Sequence, residues 1–302
     1  MTESKKLAAI GECMLELRQQ ASGQFAMGYG GDVFNVAVYA QRVGLEVNFI
    51  SATGDDRYSN YLLDAWANEG VNTTTVRVLT GETPALYIIE TDTNGERSFH
   101  YWRSATPFKH LLAPGEYLTS LPSVLQKQQC VYFSGISLAL FSDDDKETLL
   151  KLLQEYRAGG GLVAFDPNYR PKLWQANSYP DIWLDRAYAV SNIALPSFDD
   201  EKTLRGFKSK QALIAHIRQL GASEIVVKDG ASGATYIDAD QVHDVAAQSV
   251  SKVVDSTAAG DSFNGAYLAR RLQGVNQLEA IHAGCEMAAK VIQQPGAIIP
   301  AD

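Results

Sequence analysis

The sequence comprises 302 residues, of which 46% are hydrophobic and 20% are charged, and its formal net charge at pH 7 is −9. This is the composition of a globular protein, and the length suits one large α/β domain or two smaller ones with a substantial core. The acidic balance, without any block of Lys or Arg, excludes a protein that wraps nucleic acid or coats an acidic membrane. An acidic chain that binds anionic substrates must place its positive groups locally.

Cysteine usage and hydropathy indicate the cellular compartment. Cys13, Cys130 and Cys285 are far apart in the sequence and form no Cys-x-x-Cys pair. Neither a disulfide framework nor a zinc site is therefore predicted. Neither a signal peptide nor a membrane-spanning stretch is found. We expect a cytoplasmic protein that has no membrane partner and no nucleic-acid partner.

The first predicted elements are a strand and a glycine turn that opens a helix. The apolar run at 7–11 predicts the strand. Residues 28–35 read GYGGDVFN, and apolar residues follow them at helical spacing. The turn does not match a dinucleotide fingerprint, because Val33 replaces its third Gly, and the chain has no Walker-type sequence. A purely structural turn is one interpretation. The other is that Asp32 and Asn35 face a ligand, and sugar hydroxyls would suit both side chains.

The next stretch predicts a strand, a helix and a hairpin. Residues 47–52 read as the strand and residues 56–69 as the helix, with one face assigned to the core: Tyr58, Tyr61, Leu62, Ala65 and Trp66. Two β runs within 84–103 are joined by Asn94-Gly95, which is a strong hairpin signal. Tyr87 and Tyr101 are suited either to cross-strand packing or to ligand contact. Arg103 could bind a ligand or remain a solvated charge.

Beyond the hairpin, strands alternate with helices. Strands are predicted at 130–136, 162–165, 188–195, 224–228 and 233–237, and helices include 142–158 and 277–293. This alternation predicts a doubly wound α/β fold with a mostly parallel sheet, whose ligands bind at the carboxyl ends of the strands. Polar residues that directly follow a strand are therefore candidates for a site.

Three such segments are chemically coherent. Asn168 and Arg170 follow one strand, Ser197 and the acidic run 199–201 follow the next, and a glycine loop at 228–233 begins with a lysine. Together they supply an Arg for an anion, carboxylates for hydrated Mg²⁺, and a Lys beside phosphate. Structural alternatives exist for each. Arg170 could pair with Asp166, the acidic run could simply favour the first turn of a helix, and the lysine could lie on the surface.

The stretch 255–268 reads DSTAAGDSFNGAYL and combines a small-residue turn with the start of a helix. Unpaired N–H groups in the first turn and the helix dipole together form an anion site. Asp261 would repel a phosphate bound there unless it has a task, and accepting a proton from an attacking hydroxyl is such a task. The alternative is that Asp261 only caps the helix.

Residues 255–261 resemble the C-terminal signature of the ribokinase-like (phosphofructokinase B type) carbohydrate kinases. The spacing of Gly30, Gly31, Asp32 and Asn35 resembles the N-terminal signature of the same family. The resemblance spans essentially the whole chain. It implies one ribokinase-like domain over 1–302, with lid strands at about 12–28 and 84–104. The turn where the family often carries Gly has Ala258 here, so its backbone has fewer allowed conformations.

The resemblance also implies roles for individual residues. Asp261 is the catalytic base, and the turn formed by Ala258, Ala259 and Gly260 is the anion hole. The N-terminal turn, Tyr87, Tyr101, Arg103 and Arg170 bind the sugar. ATP is bound by a further set: Asn168, Ser197, Lys228, Gly230, Gly233, Ala258 and Gly260. Mg²⁺ is expected through water at Asp200 or Glu201, although the family usually has Asn and Glu where Ser197 and Asp200 stand. A monovalent cation is expected near Asp255.

The acceptor is indicated by shorter motifs. The segments around Arg103 and Arg170 resemble the branch of the family that acts on keto-sugar acids, in which these arginines face the acid end of the sugar. Bidentate arginine is the natural partner of a carboxylate. We therefore expect ATP-dependent phosphorylation of a six-carbon keto-sugar acid by a homo-oligomer. A fructokinase or ribokinase acting on a neutral sugar, or a non-catalytic sugar sensor on the same fold, are the alternatives.

Overall fold

The computed structural model describes residues 5–20, 22–91, 97–174, 178–238 and 241–301. The first part of the chain forms β1 (Lys6–Ile10), β2 (Met14–Gln19), β3 (Phe25–Gly30), α1 (Asp32–Arg42), β4 (Glu46–Ile50), β5 (Ala52–Gly54), α2 (Arg57–Asn68), β6 (Arg77–Leu79), β7 (Leu86–Thr91), β8 (Arg97–Trp102) and α3 (Glu116–Leu125). The rest forms β9 (Cys130–Ser134), α4 (Gly135–Leu140), α5 (Asp143–Ala158), β10 (Leu162–Asp166), α6 (Pro180–Val190), β11 (Ile193–Ala194), α7 (Phe198–Arg205), α8 (Lys210–Leu220), β12 (Glu224–Lys228), β13 (Ala234–Asp238), β14 (Gln241–Val245), α9 (Ala259–Leu272) and α10 (Gln277–Val291).

Eight strands form one sheet in the order β14-β13-β12-β11-β10-β9-β1-β4. The strands from β12 to β4 pair in parallel, while β13 and β14 pair antiparallel at one edge. This confirms the prediction of a doubly wound α/β fold with a mostly parallel sheet. Because the parallel strands share a direction, their carboxyl ends meet at one edge, where such folds bind ligands.

Helices cover both faces of this sheet, and its central strands are accordingly apolar on both faces. Every residue of β1 after Lys6 is fully buried. The core on one face includes Phe34 of α1 and Tyr267 of α9. The core on the other face includes Leu153 of α5 and Tyr188 of α6. Two separate hydrophobic cores therefore hold the sheet, one on each face. Helices α1 and α9 pack on the same face.

A second, four-stranded sheet has the order β3-β2-β7-β8. β2 pairs antiparallel with β3 and parallel with β7, which places Glu16 beside Tyr87. β7 and β8 pair antiparallel, as expected of the predicted hairpin. The predicted turn at 94–95 lies outside the described residues. Successive residues of a strand face opposite sides, so this sheet presents Tyr87 and Tyr101 on one face and Ile88 on the other.

Several helix boundaries follow from capping chemistry that the sequence contains. Ser142 caps α5, accepting from the Asp145 N–H at 3.2 Å, and three aspartates occupy the first turn of this helix. Asp56 caps α2 through the Ser59 N–H at 2.7 Å. Both caps satisfy donors that a helix start leaves unpaired. None of the helices in the described ranges combines the length and the apolar character needed to cross a bilayer.

Three local predictions were wrong. Residues 188–190 belong to α6, and the strand predicted at 188–195 is reduced to Ile193–Ala194. The apolar run is the buried face of a helix, which a short window cannot distinguish from a strand. The strand predicted at 130–136 stops at Ser134, where α4 begins. Tyr58 was assigned to the core, yet it is 48% exposed, and Ser59 takes its place on the buried face of α2.

Candidate active site

The N-terminus of α9 lies at the centre of the site. Ala258 adopts the left-handed conformation with φ 59°, which turns the chain into the helix. The Ala259 N–H donates to the Ser256 carbonyl at 3.2 Å. Within the described chain, the N–H groups of Gly260 and Asp261 donate to no backbone carbonyl outside the helix. In the predicted anion hole, Gly260 therefore has a free N–H donor and Ala259 does not, while the next residue, Asp261, adds a second free N–H group.

Asp261 lies in the first turn of α9, and its side-chain hydrogen bond runs to another helix and not to the N–H groups of its own turn. Its Oδ2 accepts instead from the Asn35 Nδ2 at 2.8 Å, which joins the two predicted signatures across 226 residues. Burial, then the nearby charges of Asp32 and Asp166, raise the pKa of Asp261 to about 7, although the Asn35 bond and Lys228 act in the opposite direction. A base with a pKa near neutrality is matched to proton transfer at physiological pH.

The glycine turn before α1 is held by close backbone contacts. A Cβ on Gly31 would lie 2.1 Å from the Glu12 carbonyl oxygen, and one on Gly30 would lie 2.5 Å from the Tyr87 hydroxyl. At Gly31 the backbone leaves no room for a side chain, whereas a side chain at Gly30 would displace the Tyr87 hydroxyl. Asp32 follows as the first residue of α1, and burial raises the pKa of its carboxyl group. The turn therefore places Asp32 and Asn35 beside Asp261, as the sequence predicted.

A buried polar network lies below the α9 terminus. The Lys228 Nζ donates to Asp166 Oδ2 at 2.5 Å and to Asn264 Oδ1 at 3.1 Å. The Asn264 Nδ2 donates to Asp166 Oδ2 at 2.7 Å and to the Tyr132 hydroxyl at 3.2 Å. A Cβ on Gly260 would stand 3.5 Å from the same Nζ. Lys228 therefore places an ammonium group beside the anion hole, and it is not a surface residue, since its side chain is only 12% exposed.

Sequence reasoning missed Asp166, Asn264 and Tyr132 as members of this site. A signal for the first two was present. Asp166 ends β10, at the strand edge where ligands bind. Asn264 lies three residues after Asp261 on the same helix, a spacing that puts both on one face. Tyr132 is in the middle of an apolar strand, so nothing local indicated a polar role.

The four-stranded sheet contributes one buried tyrosine and one exposed tyrosine to the site. Tyr87 is buried, and its hydroxyl donates to Glu16 Oε2 at 2.5 Å. Tyr101 is 51% exposed, and the Arg103 guanidinium lies 5.7 Å from the centre of its ring. Arg103 is itself paired with the buried carboxylate of Glu12. The proton of Tyr87 is therefore committed to Glu16, whereas the ring of Tyr101 remains accessible.

The second predicted acid-binding arginine is at the rim of the site. The Arg170 Nη1 lies 3.3 Å from both carboxylate oxygens of Asp200, and its side chain is 51% exposed. The alternative that Arg170 pairs with Asp166 was wrong, because Asp166 binds Lys228 instead. Burial raises the pKa of Asp200, while Arg170 partly offsets that rise. Asp200 therefore faces the site from the first turn of α7.

Glu201 was predicted as a possible metal carboxylate, and the structure contradicts this. Its side chain is 1% exposed, its Oε1 accepts from the Tyr188 hydroxyl at 2.6 Å, and its Oε2 binds Arg205. Adjacent residues in the first turn of a helix point about 100° apart, so Asp200 and Glu201 cannot both face the site. In the described part of the chain, no group of three or more His, Cys, Asp or Glu residues is placed to hold a metal ion.

The residues predicted to bind the nucleotide lie along the same edge of the sheet. Ser197 and Lys228 are joined by a parallel bridge. Gly230 and Gly233 have φ of 51° and 96°, which the loop after β12 requires. Asn168 has φ 37°, and its Nδ2 donates to Asp32 Oδ2 at 2.9 Å while its N–H donates to Asp166 Oδ1. In this structure Asn168 therefore connects two carboxylates.

Asp255 anchors the turn that precedes α9. Its Oδ1 accepts from the Thr257 N–H and hydroxyl, at 3.1 and 2.7 Å, and its Oδ2 accepts from the Gly296 N–H at 2.6 Å. These bonds tie the anion-hole turn to the C-terminal segment of the described chain. Asp255 thus has a structural role beside the site.

A ribokinase-like α/β fold with a helix terminus, an aspartate and free N–H groups at the strand edge defines the class of sugar phosphotransferases. The sequence profile described as the pfkB family carbohydrate kinase matches residues 4–302. The chain belongs to this family. It is 41% identical to the 2-dehydro-3-deoxygluconokinase of Escherichia coli, over 98% of both chains. It is 38% identical to the enzyme of that name from Dickeya dadantii, over 98% of this chain and 97% of the relative.

Solved structures agree on the fold. The crystal structure of a PfkB protein from a Polaromonas species superposes with a TM-score of 0.85 at 24% identity, covering 98% of both chains. The prediction of a ribokinase-like fold, made from the two signatures, is therefore confirmed.

Proposed function

We propose that this protein transfers the γ-phosphoryl group of ATP to the terminal hydroxyl of 2-keto-3-deoxygluconate, the sugar acid named in its curated relatives. The observation that carries the proposal is the α9 terminus, where Asp261 meets Asn35 beside two free N–H groups. Membership of the pfkB carbohydrate kinases and the names of relatives at 38% and 41% identity support it.

The chemical step follows from this geometry. The terminal hydroxyl oxygen of the sugar attacks the γ-phosphorus, its proton passes to the Asp261 carboxylate, and the bond from phosphorus to the bridging oxygen of ADP breaks. The N–H groups of Gly260 and Asp261 and the Lys228 ammonium face the charge that develops on phosphate oxygens. Because little covalent chemistry is required of the protein, positioning and electrostatics supply the rate.

Recognition of the acceptor divides between two groups of residues. Asp32, Asn35 and the backbone of the Gly30-Gly31 turn suit sugar hydroxyls. Arg103 and Arg170 suit the carboxylate, since each keeps N–H donors beyond the one paired in the structure. Tyr87 can only accept a hydrogen bond from a ligand, because its hydroxyl already donates its hydrogen to Glu16. It therefore suits a hydroxyl group, and Tyr101 covers the sugar from the lid.

ATP would lie along the carboxyl edge at Asn168, Ser197, Lys228 and the loop with Gly230 and Gly233. Mg²⁺ neutralises donor phosphate charge when bound. Asp200 is the carboxylate that would hold such a hydrated ion, through water, beside the donor phosphates. A monovalent cation is proposed near Asp255, whose two carboxylate oxygens also hold the turn before α9 through hydrogen bonds.

The protein is also proposed to be a cytoplasmic homo-oligomer. Cys13, Cys130 and Cys285 are free and buried, which suits a reducing compartment. The face of the four-stranded sheet opposite Tyr87 exposes Met27 and Trp102 at 45% and 57%. A second copy of this chain would cover these apolar side chains.

A sugar panel tests the proposal. ADP release should be fast with 2-keto-3-deoxygluconate and slow with fructose or ribose at the same concentration. The opposite order would favour the fructokinase or ribokinase alternative. Sugar binding without any ATP turnover would favour the non-catalytic sensor.

Asp261→Asn tests the base in the same assay. Since the amide cannot accept the proton, we expect kcat to fall by about 10²- to 10⁴-fold, whereas the sugar Kd stays within about threefold. An unchanged kcat would show that Asp261 is not the catalytic base.

A further inference from the structure

One ion pair joins two of the connections between the small sheet and the large one. Glu12 lies between β1 and β2, and Arg103 directly follows β8. The Arg103 Nη2 donates to Glu12 Oε2, and the two side chains are 11% and 4% exposed. Solvent therefore reaches little of either side chain. The position of the Arg103 guanidinium is therefore determined by Glu12.

The turn between β3 and α1 is a third connection between the two sheets, and it packs against the backbone of Glu12. The close approach of Gly31 to the Glu12 carbonyl oxygen leaves no room for a side chain at residue 31. Asp32 follows immediately; burial raises the pKa of its carboxyl group, and the positive charge of Arg103 partly opposes that rise. The backbone of Glu12 thus holds the sugar-binding turn, while its side chain holds an arginine aimed at the same region.

The pair is incompletely satisfied. Glu12 Oε1 and Arg103 Nε are buried and have no hydrogen-bond partner within the described residues. A bidentate pair would have used both carboxylate oxygens. With a single N–H donated to Glu12, the guanidinium keeps further donors in its plane, and a planar fork of donors is what a ligand carboxylate requires.

We propose that Glu12 is a positioning residue for acid selectivity. It fixes one edge of the Arg103 guanidinium so that the remaining N–H groups face the carboxylate of the sugar acid, and it joins that contact to the lid. The proposal rests on the function proposed above. Without Glu12, Arg103 would be a buried cation without its partner and would move towards other carboxylates of the site.

The test is a double-mutant cycle on sugar-acid kinetics. We expect Glu12→Ala to raise the KM for 2-keto-3-deoxygluconate at least about tenfold, with kcat changed less than about threefold. The KM for a slow neutral substrate such as fructose should change less than about threefold. Glu12→Gln keeps the acceptor oxygen for Arg103 and should restore most of the acid affinity. In an Arg103→Ala background, Glu12→Ala should have no further effect on KM.

The cycle separates positioning from a general loss of structure. Glu224→Ala is the matched control. Glu224 also pairs with an arginine, Arg271, at 2.6 Å, but it lies at the amino end of β12, away from the carboxyl ends where the site lies. It should leave the ratio of acid to neutral KM unchanged. Should Glu12→Ala fail to fold, Glu12→Asp, which shortens the side chain by one methylene, takes its place in the cycle.

The outcomes are distinct. The role of Glu12 would be overturned if the double variant raised KM by the product of the two single effects. It would also be overturned if Glu12→Ala weakened acidic and neutral sugars equally. Either result would leave the proposed function intact. A wild-type protein that turns over no sugar acid would overturn both. Effects that do not multiply, together with rescue by Glu12→Gln, would support the inference.

Discussion

Ala258 stores backbone strain at the start of the catalytic helix. Its φ of 59° and ψ of 15° lie in the left-handed region, which costs a residue with a Cβ roughly 1 kcal/mol. The Thr257 and Gly296 bonds to Asp255 hold the preceding turn in place. These hydrogen bonds therefore hold Ala258 in its strained conformation. That conformation directs the N–H groups of Gly260 and Asp261 towards the same region.

We predict that Ala258→Gly is neutral or stabilising, by up to about 1 kcal/mol, because relief of strain offsets the added freedom of the unfolded chain. Ala288→Gly in α10 is the control and should cost about 1 kcal/mol, since Ala288 has helical geometry. Urea unfolding measures both. A loss at residue 258 equal to that at residue 288 would contradict the strain.

The pKa of Asp261 predicts how activity depends on pH. Burial and neighbouring carboxylates raise it to about 7 in the free enzyme, so the base is protonated below that pH and ionised above it. We expect kcat/KM to fall about tenfold per unit as the pH drops below about 7, and to level off above it. Initial rates from pH 5 to 9 measure this profile. A flat profile down to pH 5 would contradict the raised pKa.

At the scale of elements, the loop that carries Arg170 is anchored by a buried cation. Lys146 of α5 is 5% exposed, and its Nζ lies 5.5 and 5.2 Å from the ring centres of Trp174 and Trp183. Trp174 closes the short turn Pro171–Leu173 that follows Arg170. The ammonium thus joins this loop to α5 and α6 through two aromatic faces.

We predict that Lys146→Ala lowers the free energy of unfolding by about 1–3 kcal/mol, through lost cation–π contacts and lost packing of the lysine stem. Asp143→Ala is the control. Asp143 pairs with the same Nζ at 2.8 Å but is 73% exposed, so its loss should cost less than about 0.5 kcal/mol. Tryptophan fluorescence in a urea titration measures both variants. Equal costs would show that the ion pair, and not the aromatic contact, stabilises the loop.

For the whole molecule, the small sheet divides into a site face and an apolar face. Leu17, Met27 and Ile88 are aligned across β2, β3 and β7 on the face opposite Tyr87. Phe25 and Trp102 are exposed on the same side at 48% and 57%. Large exposed apolar residues gathered on one face are typical of an interface.

We predict that Met27→Glu shifts the proposed homo-oligomer towards monomer, because a buried charge without a partner is costly in a subunit interface. Sedimentation velocity at several protein concentrations measures the change. Val78→Glu is the control, since Val78 is equally exposed but lies on β6, outside this sheet. A wild-type protein that sediments as a monomer, or equal dissociation by both variants, would contradict the assignment of this face.

How much could be predicted from the sequence depends on the range of the interaction. Local patterns determined most strands and helices, the cap of α5 and the small-residue turn before α9, because hydrophobic period and turn chemistry act within a few residues. They were wrong at 188–195, where a short apolar run fits both a strand and a buried helix face. The two signatures also placed Asp32, Asn35 and Asp261 in one site, which the structure brings together.

Only the tertiary structure decided which charges meet. Arg103 pairs with Glu12 from 91 residues away, and Lys228 pairs with Asp166 from 62 residues away. The tertiary structure also decided the role of Glu201. Its place in an acidic run suggested metal binding, but its side chain is buried and accepts a hydrogen bond from Tyr188. The sequence by itself thus determined the elements and the chemical groups at the strand ends. The pairing of these groups depends on how the strands and helices pack, since Coulomb and hydrogen-bond energies depend on distances in space.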